Sequence, residues 1–142
     1  MTNEEQAIGA VVDEMYAMIS GPAGPRDWSR QDRIFHDQSR QMRTWIGEDG
    51  RPTFKIMGRR DYATDTALFF EANDFYEIEV ARTIKLFGNI AHVWSIYEAR
   101  PSPNGPLERR GINSIQLFFD GATWQIVSMI WDNERPGVAA TL

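Results

Sequence analysis

Between Phe75 and Asn133 the chain passes through four strand-length segments: FYEIEVARTIKLF, NIAHVWSIYEAR, LERRGINSIQLFF and TWQIVSMIWDN. Their separators are Gly88-Asn89, the PSPNGP stretch and Asp120-Gly121. Glycine and asparagine tolerate positive φ and proline pre-sets a bend, so all three separators read as turns. Connections this short force antiparallel neighbours, because a parallel crossover needs a dozen or more residues. The second half of the chain is therefore expected to be a long antiparallel meander.

The second of these strands carries a further message. Ala91, Val93, Ser95 and Tyr97 alternate with His92, Trp94 and Ile96, so both faces hold large groups. A sheet with one wet face would place polar residues at every second position. Helices can cover only one side, so the other face is expected to be a homodimer interface, with wrapping by loops as the competing arrangement.

The first half supplies the helices. Ile8, Val11, Val12, Met15, Tyr16 and Ile19 recur at three- and four-residue spacing, which predicts an amphipathic helix over residues 3–20. Thr2 and Glu5 are spaced as a capping box, and GPAGP at 21–25 must end the helix. A short second helix is expected from Arg26 to Phe35, with Trp28, Gln31, Ile34 and Phe35 on one side. SRQMRTWI (39–46) and TFKIM (53–57) read as a hairpin around Asp49-Gly50, and a third helix from Arg59 to Asn73 buries Tyr62, Thr66, Phe69 and Phe70. Helices first and an antiparallel meander afterwards make an α+β layout, expected as one domain over residues 1–142.

Composition narrows the chemistry. There is no cysteine, which excludes thiol nucleophiles, disulfides and thiolate metal sites. With only His36 and His92, a three-histidine zinc site is excluded too. No metal and no cofactor are expected. A formal net charge of −5 argues against non-specific nucleic-acid binding, and the longest basic runs are the pairs Arg59–Arg60 and Arg109–Arg110. No apolar run approaches the roughly 20 residues of a spanning helix. The start, MTNEEQAIGA, carries acidic residues where a secretory signal has basic ones. A cytoplasmic location is expected, with no membrane partner.

The order helix, helix, hairpin, helix, four-stranded meander resembles the nuclear transport factor 2-like superfamily over the whole chain. So do local segments: VVDEMYAMI in the first helix, DWSRQDRIF before the hairpin and DGATWQIVSM in the closing strand. GPAGPRDW and WDNERPG are similar to its SnoaL-like and uncharacterised branches. The resemblance implies three N-terminal helices packed on a strongly curved, mixed but mainly antiparallel sheet, forming a cone with an internal pocket. A fold so widely reused does not assign a reaction.

The best-known chemistry of that superfamily is steroid isomerisation, which needs a carboxylate base and two proton donors. Pattern matching puts Met15 at the isomerase tyrosine, with Tyr16 about 100° further round the helix. It puts Arg43 at the base and Ile115 at the protonated aspartate, and Ile115 also falls at about the position where SnoaL-like cyclases carry the aspartate that serves as their base. None of the three residues can do the corresponding job. The groups expected around the pocket are instead Tyr16, Trp28, Arg43, Tyr97, Asn113, Trp131 and Asp132. Arg43 would project inward and suit a carboxylate or phosphate. Asn113 shares the face of Ile115, Trp28 and Tyr97 supply aromatic wall, and Trp131 with Asp132 stands at the open end of the last strand.

Three readings follow from these residues. The leading one is a small-molecule-binding domain with a mainly apolar pocket and an anion handle. The second is a cofactor-free lyase, isomerase or cyclase using Asp132, or Asp37 with His36, as base. The third is a protein-assembly domain whose pocket is filled by its own side chains. His92 is expected on the dimer face.

Overall fold

A computed structural model describes residues 1–142. Helix α1 (Asn3–Ile19) begins at the Thr2/Glu5 capping box, each side chain bonded to the other's backbone N–H. Its apolar face buries Ile8, Val12, Met15, Tyr16 and Ile19. It stops at Ser20, and Arg26 then secures the GPAGP loop by donating to the carbonyls of Ile19, Gly21, Pro22 and Gly24.

The expected second helix is much shorter. Asp27 caps a single 3-10 turn, Trp28–Arg30, which leads into α2 (Gln31–Ile34), and strand β1 already starts at Phe35 (Phe35–Ile46). His36 to Gln38, which fall between the expected helix and the expected strand, are themselves strand residues, and the chain from His36 to Ser39 bulges from the ladder: Phe35 pairs with Ile126, but the next pair is Arg40 with Ser128. Such a bulge breaks the period-two pattern, and this is why the boundary was misplaced.

Strand β2 (Pro52–Met57) completes the hairpin through the Gly47–Arg51 turn, where Gly50 takes φ +78°. Helix α3 (Arg59–Ala72) follows. Tyr62 and Phe70 are buried, but Phe69 stays partly exposed. Then come β3 (Tyr76–Phe87), β4 (Ile90–Arg100), β5 (Arg109–Phe119) and β6 (Trp124–Asn133).

The sheet order is β2-β1-β6-β5-β4-β3, all antiparallel except the β1–β6 pair. The sheet is open, and register shifts near Val80 in β3 and Val127 in β6 add to the one in β1. Bulges bend the strands that carry them, which gives the mixed, cone-like α+β architecture. The core lies between the inner face and the helices, centred on Ile8, Val12, Val93, Ile115 and Ile126, each less than 1% exposed. The C-terminal segment crosses part of the outer face, where Trp94 Nε1 donates to the Thr141 carbonyl at 2.8 Å. No helix is long and apolar enough to cross a membrane.

Candidate functional site

The inner face and the helices enclose a cavity of about 270 Å3. Ligand pockets commonly span roughly 300–1,000 Å3, so this one suits a small molecule. Met15, Met18 and Ile19 from α1, Phe70 from α3, Phe75 and Met129 form its apolar lining. Polar groups enter from five of the six strands: Gln41 and Arg43 from β1, Glu77 from β3, Tyr97 from β4, Arg109 and Asn113 from β5, Asn133 from β6.

Tyr97 depends on a glycine. It pairs across the ladder with Gly111, and a Cβ there would lie 2.5 Å from the Tyr97 hydroxyl and 2.2 Å from the Asp132 carbonyl. Only glycine lets the ring lie across β5 and donate from its hydroxyl to Asn133 Oδ1 at 2.5 Å.

Behind the cavity runs a buried chain of hydrogen bonds. Asn113 Nδ2 donates to the Tyr16 hydroxyl at 2.9 Å, Tyr16 meets Ser95 Oγ at 2.6 Å, and Ser95 Oγ donates to Glu79 at 2.5 Å. With the Ser95 proton directed at Glu79, the Tyr16 hydroxyl donates to Ser95 and accepts from Asn113. Burial pushes the Tyr16 hydroxyl far above the ordinary tyrosine range, so it acts as a neutral donor and acceptor. Glu79 also meets Arg82 at 2.7 Å, and Arg82 in turn pairs with Asp13 of α1.

Two carboxylates line the cavity, Asp65 and Glu77, and Glu77 is the one with no ion pair. Burial of its carboxyl group raises it to about 7, against the opposing pull of Arg109 and a hydrogen bond from Asn113. Its backbone is fixed on both sides of Ser20, whose hydroxyl accepts from Glu77 N–H at 3.0 Å. At neutral pH such a group divides between its acid and base forms, the condition for proton transfer in either direction. Their own burial, and after it the charge of Glu77, raises the hydroxyls of Tyr62 and Tyr97.

Two cations share the cavity with this carboxyl. Arg43 and Arg109 both line the cavity, and neither takes part in an ion pair or side-chain hydrogen bond. Arg109 instead lies over the Phe75 ring, 5.9 Å from its centre. Asp65 of α3, by contrast, is engaged by Lys55 of β2 at 2.5 Å. No group of three or more histidine or carboxylate side chains could hold a metal.

Of the residues singled out in the sequence, Arg43, Tyr97, Asn113 and Trp131 border one cavity. Tyr16 stands just behind Asn113. Trp28 does not reach the lining; it packs edge-on against Tyr62 at 5.9 Å and beside Phe70 at 6.0 Å, buttressing the wall.

Asp132 lies on the opposite side of the sheet, bonded to Arg135 at 3.0 Å. Trp131 points inward, so its neighbour must point outward, and the inward partner is Asn133. His36 and Asp37 sit 3.0 Å apart in the exposed β1 bulge, away from the cavity. None of the bases first considered therefore touches the cavity. Glu77, Gln41 and Arg109 do, and the sequence reading passed over all three. The signal for Glu77 was the YEIEV segment, in which either alternate set could have been the buried one.

No protein-family model and no curated protein matches the chain. Solved structures do. A nuclear transport factor 2-like (NTF2-like) protein from Shewanella baltica aligns over 95% of this chain and 98% of its own, at 17% identity and a TM-score of 0.65. A protein with a cystatin-like fold from Nostoc punctiforme aligns over 94% and 93%, at 8% identity and a TM-score of 0.72. LinA aligns over 93% of this chain and 86% of its own, at 10% identity and a TM-score of 0.68. At these identities the likeness is one of fold: the chain has the NTF2-like, cystatin-like architecture.

Proposed function

From that shared NTF2-like architecture, we propose that the domain binds a small, mainly apolar molecule bearing an anionic group, with the anion at Arg43. The observation that carries this reading is a guanidinium free of any partner in the chain, bordering a cavity whose apolar lining is mainly methionine and phenylalanine. Apolar walls with a few convergent polar groups characterise small-molecule sites, and a partly desolvated arginine strongly favours a carboxylate or phosphate. The open cavity speaks against a domain filled by its own side chains. The experiment is a thermal-shift screen of organic acids on the wild type and Arg43→Ala. Acids should raise the melting temperature of the wild type only; equal shifts in both proteins refute the assignment.

A second reading, a cofactor-free isomerase, lyase or cyclase, is favoured by Glu77. A cavity carboxyl poised near neutrality is a candidate acid or base. Any turnover found for a bound acid should disappear in Glu77→Gln while binding persists.

We also propose that the outer sheet face pairs with a second copy of the chain. Phe54 and Ile56 of β2, Ile78 of β3, Trp94 of β4 and Ile130 of β6 all point outward and are 36% exposed or more. The C-terminal segment shields only part of this surface and leaves a groove of about 760 Å3 beside Phe54, Trp94, Ile112 and Ile130. An apolar stripe crossing a whole sheet is uncommon on a monomer. Sedimentation equilibrium should give twice the chain mass.

A further inference from the structure

Gln41 stands out among the polar residues of the cavity. It is 2% exposed and borders the cavity, and its Nε2 is buried with no hydrogen-bond partner in the chain. Buried polar groups are almost always satisfied, because an unmade bond leaves the whole desolvation cost in place. Arg43, two residues along β1, lies on the same face and also lacks a partner. Their neighbours Met42 and Thr44 face the other way: the Thr44 hydroxyl donates to the Trp131 carbonyl at 2.7 Å. One strand thus carries two unengaged donors side by side in the wall of the cavity.

We propose that Gln41 and Arg43 together form a carboxylate-binding subsite, and that the ligand is a monocarboxylic acid with an aryl or alkyl body. This rests on the anion reading above and narrows it to one functional group and one partner residue. A carboxylate has two acceptor oxygens and no donor, so it can accept from both the guanidinium and the carboxamide. A half-turn about the last torsion of Gln41 decides which end of the amide meets the ligand. Its N–H2 end matches an acceptor and removes the orphaned donor in the same step.

The opposite wall supports this orientation. Glu77 stands there, so a ligand carboxylate is drawn to the β1 side and the apolar body lies toward Met15, Met18, Phe70 and Phe75. The donors on β1 and the acid on β3 give the cavity a polarity that a neutral hydrocarbon would not exploit.

The test compares 3-phenylpropanoate with the neutral alcohol 3-phenylpropan-1-ol by titration calorimetry. The proteins are the wild type, Gln41→Met, Arg43→Met and Gln41→Glu. Methionine keeps the length of glutamine and removes its donor. The wild type should bind the acid at least tenfold more tightly than the alcohol. Gln41→Met should lose about tenfold for the acid and nothing for the alcohol. Gln41→Glu should lose acid binding altogether.

A second readout does not depend on any variant folding. In a nitrogen–proton spectrum of the wild type, the Gln41 side-chain amide signals should move with the acid and stay put with the alcohol. Unchanged acid affinity in Gln41→Met, with the loss confined to Arg43→Met, overturns the paired subsite and leaves the arginine reading standing. Equal affinity for acid and alcohol overturns both, as does the absence of binding by either.

Discussion

The two faces of β3 reverse the usual assignment of polar and apolar residues. Glu77 and Glu79 point inward, toward the cavity and the buried Tyr16–Ser95 chain. Ile78 on the outer face and Val80 at the bulge are 37% and 44% exposed. Carboxylates inside cost desolvation and aliphatics outside forgo burial, so neither arrangement stabilises an isolated chain. The difference separates the two proposals, a ligand on the inner face and a second copy on the outer one. The inner face carries polar groups that packing alone does not require, and the outer face carries apolar groups that want a cover.

The sharpest way to break the inner face is at Gly111. Gly111→Ala forces a methyl group against the Asp132 carbonyl and the Tyr97 hydroxyl, and should cost about 2–4 kcal/mol in chemical denaturation. If the cost is below about 1 kcal/mol, Tyr97 does not lie across β5 as described.

Glu77 gives a pH-dependent version of the same comparison. In the unfolded chain its carboxyl ionises near 4.5, but in the fold only near 7. Folding therefore takes up a proton between those values, and the stability at this site falls as pH rises through that window. Glu77→Gln should be more stable than the wild type at pH 8, by up to about 3 kcal/mol, and equal to it at pH 4. Urea melts at both pH values measure the gap, and a gap that does not grow with pH would place the carboxyl in water.

The outer face should respond in association rather than in folding. Ile130→Glu should convert a dimer to a monomer in sedimentation, while the monomer's own stability changes by less than about 1 kcal/mol. The smallest effect is expected at Trp94→Phe, which removes the indole donor to Thr141. A loss of about 0.5–1 kcal/mol, with faster proteolysis after residue 135, would show that the C-terminal segment is held by that bond.

Much of this architecture was legible in periodicity and turn chemistry. The meander, the first and third helices and the Asp49-Gly50 hairpin all follow from local rules, because each buries its own stripe. Counting back from a turn to Ile115 and stepping two residues along the strand also placed Asn113, whereas Arg43 came from the resemblance alone.

Counting failed where the chain adds a residue or where adjacency was mistaken for proximity. The bulge at His36–Ser39 turned an expected helix end into strand. Asp132 was grouped with Trp131 although neighbours on a strand face opposite ways. Glu77 escaped for a different reason. In FYEIEV the apolar set looks like the buried one, and only the covering helix α1 and the Ser20 anchor decide otherwise.

The single parallel pair in the sheet has a consequence for how the domain is made. The Thr44 hydroxyl reaches a carbonyl 87 residues further along the chain, and β1 has no other partner on that side than β6. A ribosome delivers the first hairpin and two helices long before Trp131 emerges. Through that interval β1 shows an unpaired edge and Gln41 and Arg43 face water. The pocket therefore cannot exist in any nascent chain shorter than about the start of β6, and nothing can bind in it before the fold is finished.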